Sequence, residues 1–231
     1  MKQDIEYNEI LASSLGLIVQ SEISIPSPAA NYQEYKIPGM DGTLVETDGT
    51  YENIKINAVF NYQERKNWGS TYRSAKKWLN SSGSRILKLF RTDQTFYKVK
   101  TVEIGEEQRA NSFAASFEVT FICDPYTYLE SGLEQISGGN VYNPEEISHP
   151  TYLITGNGQC TLTVNGNTMT ATIGQNLTID TDRMIAYRED GTMANTSVTG
   201  DYDYLYLLPG ENTISITSGF LLKIIPNWRH L

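Results

Sequence analysis

Apolar residues that alternate with polar ones are the feature that most limits how this chain can fold. Such alternation runs through residues 15–25, 54–62 and 113–121. Successive side chains of an extended strand point to opposite faces, so each run predicts a β-strand with one face in a core. The N-terminal part of the chain is therefore predicted to be a β-sheet or barrel.

One stretch of the N-terminal part follows helical spacing instead. Its apolar stripe consists of Tyr72, Ala75 and Leu79, with Trp68 extending it upstream. Ser70 is a candidate N-cap, and Ser82-Gly83 is expected to end the helix. Residues 86–91 and 96–100 then predict a hairpin that turns across residues 92–94.

The C-terminal part shows short strands and no helical stripe. Residues 159–164 and 168–173 flank Asn165-Gly166, a pair typical of two-residue hairpin turns. Further apolar pairs lie between turn formers: Leu177 and Ile179, Ile185 and Tyr187, Leu205 and Leu207, and Ile214 and Ile216. Many short strands joined by turns predict a β-sandwich.

A change in composition near residue 130 predicts two domains. The chain has 231 residues, enough for two domains of about 100 to 130 residues each. Turn-forming Ser, Gly and Asn are frequent over residues 131–140, and Pro144 and Pro150 follow. We expect a mainly β chain with an N-terminal domain at 1–130, a linker at 131–147 and a C-terminal sandwich at 148–231.

Charge and composition argue against several classes of function. The net charge of −9 disfavours a tight grip on nucleic acid or on an anionic membrane surface. No apolar run approaches the roughly 20 residues of a membrane-spanning helix, and the N-terminus lacks an apolar signal core. We therefore expect no membrane partner and folding in a cytoplasm.

Cys123 and Cys160 are expected to be buried free thiols.

Residues that could carry chemistry are few. His149 and His230 cannot form a shared metal site by local spacing, and no nucleophile, phosphate-loop or zinc motif occurs. Two Asp-x-Asp pairs, at 180–182 and 201–203, lack the other ligands of a calcium loop, so solvated or turn-capping carboxylates are the preferred interpretation. We predict no catalytic residue, no cofactor and no metal.

The helix also carries a basic flank opposite its apolar stripe. This flank consists of Arg73, Lys76 and Lys77. In an acidic protein it is interpreted as a solvated or subunit-facing surface rather than a DNA-binding one.

The stretch from residue 37 to residue 43 specifies one loop shape. Pro38 fixes φ, Gly39 and Gly42 allow positive φ, and Asp41 can hydrogen-bond its own backbone. A loop specified this tightly usually presents something or fits against something. Pro38, Gly39, Asp41 and Gly42 are therefore candidate interface residues.

A row of tyrosines stands out near the C-terminus. If Leu205 and Leu207 point inward on a strand, then Tyr202, Tyr204 and Tyr206 line its opposite face. Packing beneath a neighbouring loop or the linker is the first interpretation of such a row, a protein contact the second, and stacking on sugar rings the third.

Short motifs follow one another in order along almost the whole chain. They are LGLIV at 15–19, IPSPA at 25–29, IPGMDGTL at 37–44, WL at 78–79, FxxDPY at 121–126, ID at 179–180, GDY at 200–202, LPGEN at 208–212 and IPNWR at 225–229. In this order they resemble the distal tail proteins, or Dit family, of bacteriophages with long non-contractile tails.

The resemblance implies a structural virion protein of the siphovirus tail tip. N-terminal belt domains of this family close a hexameric ring, and galectin-like C-terminal sandwiches project outward. The implied partners are the tail-tube protein, a tail-associated hub or lysin protein and a receptor-binding protein. DNA is expected to pass through the ring without tight binding. Assembly is expected in the cytoplasm of the host bacterium.

Two other classes of function are alternatives. A carbohydrate-binding module that aids adsorption to the host would use the tyrosine row, although it leaves the N-terminal domain without a role. A cell-wall hydrolase would need paired carboxylates or a metal site, and the sequence shows neither.

Overall fold

Antiparallel β-strands dominate the structure, as the alternation of apolar residues predicts. The structure, a computed structural model, describes residues 4–20, 23–65, 69–89 and 94–231. The chain divides into two units, Met1–Thr127 with Leu231, and Tyr128–His230. The predicted mainly β fold, with a single α-helix among the described residues, is confirmed.

The first unit is built on one curved antiparallel sheet. Its strands are β1 (Glu6–Tyr7), β2 (Ile10–Leu11), β3 (Leu17–Val19), β4 (Ala30–Tyr35), β5 (Leu44–Tyr51), β6 (Ile54–Gln63), β7 (Ile86–Lys88), β8 (Thr95–Ile104), β9 (Gln108–Arg109) and β10 (Ala114–Cys123). The sheet order is β2-β1-β7-β8-β10-β6-β3, and β9 pairs with β10. Strands β4 and β5 form a separate two-stranded sheet.

The pairing of β6 with β10 organises the core of the first unit. The two strands pair from Ile54 opposite Cys123 to Gln63 opposite Ala114, without a register shift. This register stacks the buried rings of Phe60 and Phe117, with centroids 5.5 Å apart. The Cys123 thiol is buried and free, as predicted.

Two predicted strands of the first unit differ from those observed. The run at 15–25 yields only β3, because residues Ala12–Leu15 form a 3-10 turn that Gly16 closes at φ +75°. Residues 23–29 form no strand, and the two prolines at 26 and 28 lack the N–H that a strand ladder uses. The run at 113–121 becomes β10, and Phe113 lies before it and is exposed.

The predicted hairpin after the helix is confirmed in its strand pairing. Leu87 of β7 lies opposite Tyr97 of β8. Residues 90–93, which include most of the predicted turn, lie outside the described residues.

The predicted helix is α1 (Ser70–Leu79), which buries Ala75 and Leu79 of the expected stripe and leaves Tyr72 half-buried; Trp78 joins the buried face. Ala75, Trp78 and Leu79 are buried, and the Trp78 indole donates a hydrogen bond to the Tyr7 carbonyl at 2.8 Å. The helix ends before the predicted Ser82-Gly83, because the Ser81 hydroxyl and N–H both donate to the Trp78 carbonyl. Trp68 lies outside the described residues.

Ser70 is the first helical residue rather than the predicted N-cap. Glu64 caps the helix instead: its carboxylate accepts the Gly69 and Ser70 N–H groups at 2.9 and 3.2 Å, and the Ser70 hydroxyl donates to it as well. The Ser70 hydroxyl, followed by the backbone N–H groups, holds the pKa of Glu64 below its ordinary value of 4.5.

We expect Glu64→Gln to destabilise the first unit in a pH-dependent way. A carboxyl group whose pKa is lowered on folding contributes stability above its unfolded pKa, and this contribution is lost as pH falls through the folded pKa. The variant should therefore be less stable than the parent protein at pH 7, and the difference should shrink below about pH 4.5. Urea denaturation across pH measures it. The exposed Glu118→Gln is the control, and a pH-independent difference for Glu64→Gln would contradict the capping role.

The second unit is a curled antiparallel sheet that encloses its own core. The strands of this sheet are β12 (Ile136–Ser137), β13 (Gly139–Asn143), β14 (Thr151–Val164), β15 (Asn167–Asp180), β16 (Ile185–Tyr187), β17 (Val198–Thr199), β18 (Gly210–Ile216) and β19 (Leu221–Ile225). Two short strands outside it, β11 (Thr127–Leu129) and β20 (Arg229–His230), pair with each other. The order β12-β19-β14-β15-β16 forms most of the sheet, and β18 joins β13 to the far end of β14.

One long hairpin organises the second unit. β14 and β15 pair from Thr151 opposite Asp180 to Val164 opposite Asn167, across the predicted Asn165-Gly166 turn. Both turn residues have positive φ, 52° and 86°, as a two-residue hairpin of this type requires. The buried Cys160 lies on this hairpin and is free, as predicted.

The segment at 131–147, for which the sequence suggests a connection, contributes strands to the second unit. β12 pairs with β19 and β13 pairs with β18. Gly132 is buried in a 3-10 turn at Glu130–Leu133, and its carbonyl accepts the Asn227 N–H at 2.9 Å. Turn-forming residues are abundant here because the strands are short, and pairing with distant strands is invisible in local composition.

We expect Gly132→Ala to destabilise the second unit by about 1–3 kcal/mol, since an added methyl group overpacks the site. A Cβ atom at this position would lie 2.4 Å from the backbone nitrogen of Trp228. Urea denaturation measures the change in free energy of unfolding.

Gly174→Ala is the matched control, because its Cβ atom would meet only the Arg188 guanidinium, at 3.7 Å. Equal stability of the two alanine variants would show that the segment is not packed as described.

Candidate functional site

The hairpin formed by β4 and β5 is the most exposed structured element of the described chain. Its register pairs Tyr35 with Leu44 and Tyr32 with Thr47. Neither strand pairs with the main sheet, and nearly every residue from 30 to 51 is exposed. A two-stranded hairpin on its own is marginally stable in water, so this element lacks the core that supports the other strands.

Large apolar side chains are concentrated toward the tip of this hairpin. Six of these residues have an exposed fraction between 42% and 60%: Tyr32, Tyr35, Ile37, Met40, Leu44 and Val45. Tyr32 and Tyr35 both line a cleft of about 390 Å³ on the hairpin. Leu44 and Val45 are consecutive in β5 and so point to opposite faces, which means that both faces of the hairpin expose apolar side chains. Exposed apolar surface that no core covers typically marks a site of protein association.

The loop at the tip has the shape that its residues predict. The Met40 N–H donates to the Ile37 carbonyl at 3.1 Å, which closes a turn with Pro38 and Gly39 at its centre. Gly39 and Gly42 adopt φ of +86° and +82°. A Cβ atom at either glycine would meet nothing within 4 Å, so backbone conformation rather than space requires glycine there.

The Asp41 carboxylate does not make the expected hydrogen bond to its own backbone. The described structure contains no hydrogen bond to this side chain, which is exposed. Pro38, Gly39, Asp41 and Gly42 nevertheless lie together at the tip, and their role as interface residues stays a prediction.

A polar network stiffens the base of the hairpin. The Asp48 carboxylate accepts the Thr50 N–H and hydroxyl at 2.9 and 2.7 Å. Asn31 donates from its amide to the Thr50 hydroxyl at 2.8 Å, and the Thr47 hydroxyl donates to the Asn31 carbonyl at 3.0 Å. The two hydrogen bonds from Thr50 hold the pKa of Asp48 below its usual range. The ring of Tyr51 packs edge-on against Tyr126, with centroids 6.2 Å apart.

Sequence reasoning placed the loop between two strand-like segments, which are β4 and β5, but did not show that these strands lack a core. Tyr32, Tyr35, Leu44 and Val45 are exposed because their hairpin has no second layer, and local alternation does not reveal whether a second layer exists. The sequence does carry a signal for the base of the hairpin, since Asp48-Gly49 is a turn pair followed by a hydroxyl residue.

The predicted tyrosine row does not form, because its residues are not on a strand. Tyr202–Leu205 is a 3-10 helix, closed by hydrogen bonds such as that from the Tyr204 N–H to the Asp201 carbonyl at 3.3 Å. Leu205 and Leu207 are buried as expected. Tyr202 packs against the hydrophobic core of the second unit, while Tyr204 is exposed. The suggested partner or glycan role of these tyrosines stays a prediction.

Tyr206 belongs to a polar cluster around His149. Its ring stacks on the imidazole with centroids 3.9 Å apart. Asp182 Oδ1 lies 3.3 Å from His149 Nδ1, and the Arg229 guanidinium donates to Nε2 at 2.9 Å. Burial and the nearby Asp203 carboxylate raise the pKa of Tyr206. The cluster ties β20 to the loop before β14, which is a structural role.

Further features bear on the class of function. Within the described residues, no group of three or more His, Cys, Asp or Glu side chains is placed to hold a metal ion. No described helix has the length and apolar character needed to cross a membrane.

Comparison with solved structures identifies the fold. No protein-family model and no curated protein matches the sequence of the chain. The crystal structure of SPP1 Dit (gp 19.1) superposes with a TM-score of 0.62, covering 97% of this chain and 98% of that one. The chain has the fold of SPP1 Dit. The resemblance to the Dit family that the motifs predict is thereby confirmed for the fold, at 11% sequence identity.

SPP1 Dit is a paradigm of the hub adsorption apparatus in phages that infect Gram-positive bacteria. The near-complete coverage of both chains means that the shared fold extends over both units of this protein.

We expect Gly39→Val to loosen the tip of the hairpin without unfolding either unit. A β-branched residue is disfavoured at the observed positive φ, and left-handed backbone costs a residue with a Cβ atom about 1–2 kcal/mol. Limited proteolysis should show faster cleavage between residues 36 and 44, while the thermal transition changes little. Thr43→Val, beside the loop, is the control, and unchanged cleavage of the Gly39 variant would contradict this account of the loop.

Proposed function

We propose that this protein is a structural component of a bacteriophage tail, forming a ring at the distal tip that serves as a hub. The observation that carries the proposal is the shared fold with SPP1 Dit over 97% of this chain and 98% of that one. A fold match over both units supports the same architecture, with a ring-forming first unit and an outward second unit. The ring would join the tail tube to the apparatus that recognises the host.

The exposed hairpin supports association with further copies of the same chain. A ring of identical subunits needs two different surfaces on each subunit, so that each contact is heterologous and the rotation closes. The tip of the hairpin offers one such surface, apolar and of fixed shape. A preformed loop loses little conformational entropy on binding, which favours its use in a repeated contact.

Charge suggests where this hairpin docks on the neighbouring copy. The hairpin carries Glu34, Asp41, Glu46 and Asp48 against the single cation Lys36. The exposed flank of α1 carries Arg73, Lys76 and Lys77, and no ion pair engages them within the described part of the chain. We therefore place the contact between the hairpin of one copy and this basic flank of the next, since complementary charge orients such contacts.

The remaining partners follow from the position of a hub. The tail-tube protein would lie on one face of the ring, and a tail-associated hub or lysin protein on the other, with the second unit available to hold a receptor-binding protein. The net charge of −9 is compatible with a lumen through which DNA passes without tight binding. We place the assembled protein in the virion tail tip, after assembly in the host cytoplasm, with no catalytic role.

Replacing Tyr35 and Leu44 by serine should abolish the ring while both units stay folded. These side chains lie directly opposite each other on the hairpin and make no contribution to either core. Light scattering, supported by negative-stain images, should show hexameric rings of the 25.9 kDa parent chain and monomers of the double variant.

The matched control replaces Tyr142 and Leu208 by serine; both side chains are exposed, by 62% and 49%, and both lie in the second unit. Its rings should persist. A parent protein that stays monomeric at high concentration would overturn the proposed function, and rings that survive the hairpin substitutions would overturn the assignment of the contact.

A further inference from the structure

Three aspartates of this chain are directly followed by glycine, at 41–42, 48–49 and 190–191. In such a pair the side-chain carboxyl carbon can come within reach of the next backbone nitrogen, and glycine has no side chain to obstruct the attack. A reaction within one chain requires both groups to be free to adopt the reacting geometry. The three pairs therefore present the same two reacting groups in three local environments.

Both reacting groups of the Asp48-Gly49 pair are engaged in hydrogen bonds. The Asp48 carboxylate accepts the Thr50 N–H and hydroxyl at 2.9 and 2.7 Å. The Gly49 N–H donates to the Thr47 hydroxyl at 3.2 Å. The carboxyl group and the nitrogen must therefore be released from these partners before they can react with each other.

The Asp190-Gly191 pair is held in the same way. The Asp190 carboxylate accepts the Thr192 N–H at 2.9 Å, and the Gly191 N–H donates to the Arg188 carbonyl at 2.8 Å. The Arg188 N–H also donates to the Thr192 carbonyl at 2.9 Å, which closes the turn around the pair. Attack by the Gly191 nitrogen would require this turn to open.

The Asp41-Gly42 pair lacks these restraints. No hydrogen bond engages the Asp41 carboxylate or the Gly42 N–H within the part of the chain that the structure describes. Both residues are exposed and lie in the loop between β4 and β5, outside the strand ladder. A Cβ atom at Gly42 would meet nothing within 4 Å, so no neighbouring group crowds the pair. The carboxyl group and the nitrogen are free to approach each other.

We propose that Asp41 isomerises spontaneously to isoaspartate. The Gly42 nitrogen forms a bond to Asp41 Cγ and loses its proton, while one Cγ–O bond breaks and that oxygen leaves as water. The product is a five-membered succinimide ring. Water then adds to one of the two ring carbonyl carbons. Opening at Cγ restores aspartate, whereas opening at the backbone carbonyl carbon leaves the chain linked through Cγ, as isoaspartate. The overall change is an isomerisation, and it requires no oxidant, reductant or cofactor.

Isomerisation would alter the loop at the tip of the hairpin. The isoaspartate linkage adds one carbon atom to the backbone between residues 41 and 42, and the former backbone carboxyl group becomes the side chain. The lengthened segment lies just before Leu44, whose pairing with Tyr35 closes the loop. An unassembled subunit would thus acquire a changed tip with age. This effect on assembly rests on the proposed ring, whereas the isomerisation itself does not.

Peptide mapping after prolonged incubation at neutral pH tests the proposal. The parent chain is incubated beside the double serine variant of Tyr35 and Leu44, whose tip no neighbouring copy should cover. A protease that cleaves after glutamate releases peptides 35–46, 47–52 and 190–211, each with one Asp-Gly pair. A methyltransferase specific for isoaspartate then labels the product in each peptide. In the double variant we expect at least about fivefold more label in 35–46 than in either other peptide. The reason is that a hydrogen bond worth about 1 kcal/mol must break before the other pairs react.

Substitutions in the background of the double variant test the two parts of the argument. Asp41→Ser should remove the label from peptide 35–46. Thr50→Val deletes one of the two hydrogen bonds to Asp48, so it should raise the label in 47–52 by about fivefold and leave 35–46 unchanged. Thr50 is exposed, so both units should remain folded. Equal label in the three peptides of the double variant would overturn the proposal, as would an unchanged 47–52 peptide in the Thr50 variant.

The parent chain separates this proposal from the hub function. Slower labelling of 35–46 in parent rings than in the double variant would support a tip that is covered by the neighbouring copy. Equal rates in rings and in the double variant would overturn the assignment of the ring contact to the tip. A monomeric parent chain with labelled 35–46 would overturn the hub function and support isomerisation at Asp41. Absence of label from 35–46 in both proteins would overturn the isomerisation alone.

Discussion

Each unit of this protein depends on one long antiparallel strand pair. In the first unit the pair is β6 with β10, and in the second it is β14 with β15. The side-chain period of a strand is two, so a slip of a single residue would move every buried side chain to the solvent face. These two registers therefore decide which side chains form the cores and which are exposed to solvent.

The β4–β5 hairpin shows what strand pairing does without a core beneath it. Its backbone is paired and its base is tied by the Asp48, Thr50 and Asn31 network, yet its apolar side chains have nothing to pack against. Exposed apolar surface is unfavourable in water, so the free energy falls when another chain covers it. In the proposed ring a neighbouring copy covers this exposed apolar surface. Burial of apolar surface would then drive assembly, as it drives the folding of each unit.

The sheet of the second unit has one face buried in the core and one face exposed to solvent. Its inward residues build a continuous core that includes Ile154, Leu177 and Leu222. The residues between them form rungs of Thr, Asn, Leu and Lys on the other face, at spacings set by the same hydrogen bonds. The rigid core thus fixes where the outward residues of the sheet lie.

The sequence by itself determined those features that depend on local sterics and local periodicity. The long alternating runs predicted β6 and β10, Asn165-Gly166 predicted the central hairpin of the second unit, and Gly39 and Gly42 predicted the loop backbone. The ordered motifs predicted a Dit-like fold. Only the tertiary structure decided that the segment at 131–147 supplies strands, that residues 202–205 wind into a 3-10 turn, and that the β4–β5 hairpin stands without a core. It alone brought Thr155, Asn176 and Leu221 side by side. The physical reason is that these features arise from contacts between residues far apart in the chain, where burial and register override local preference.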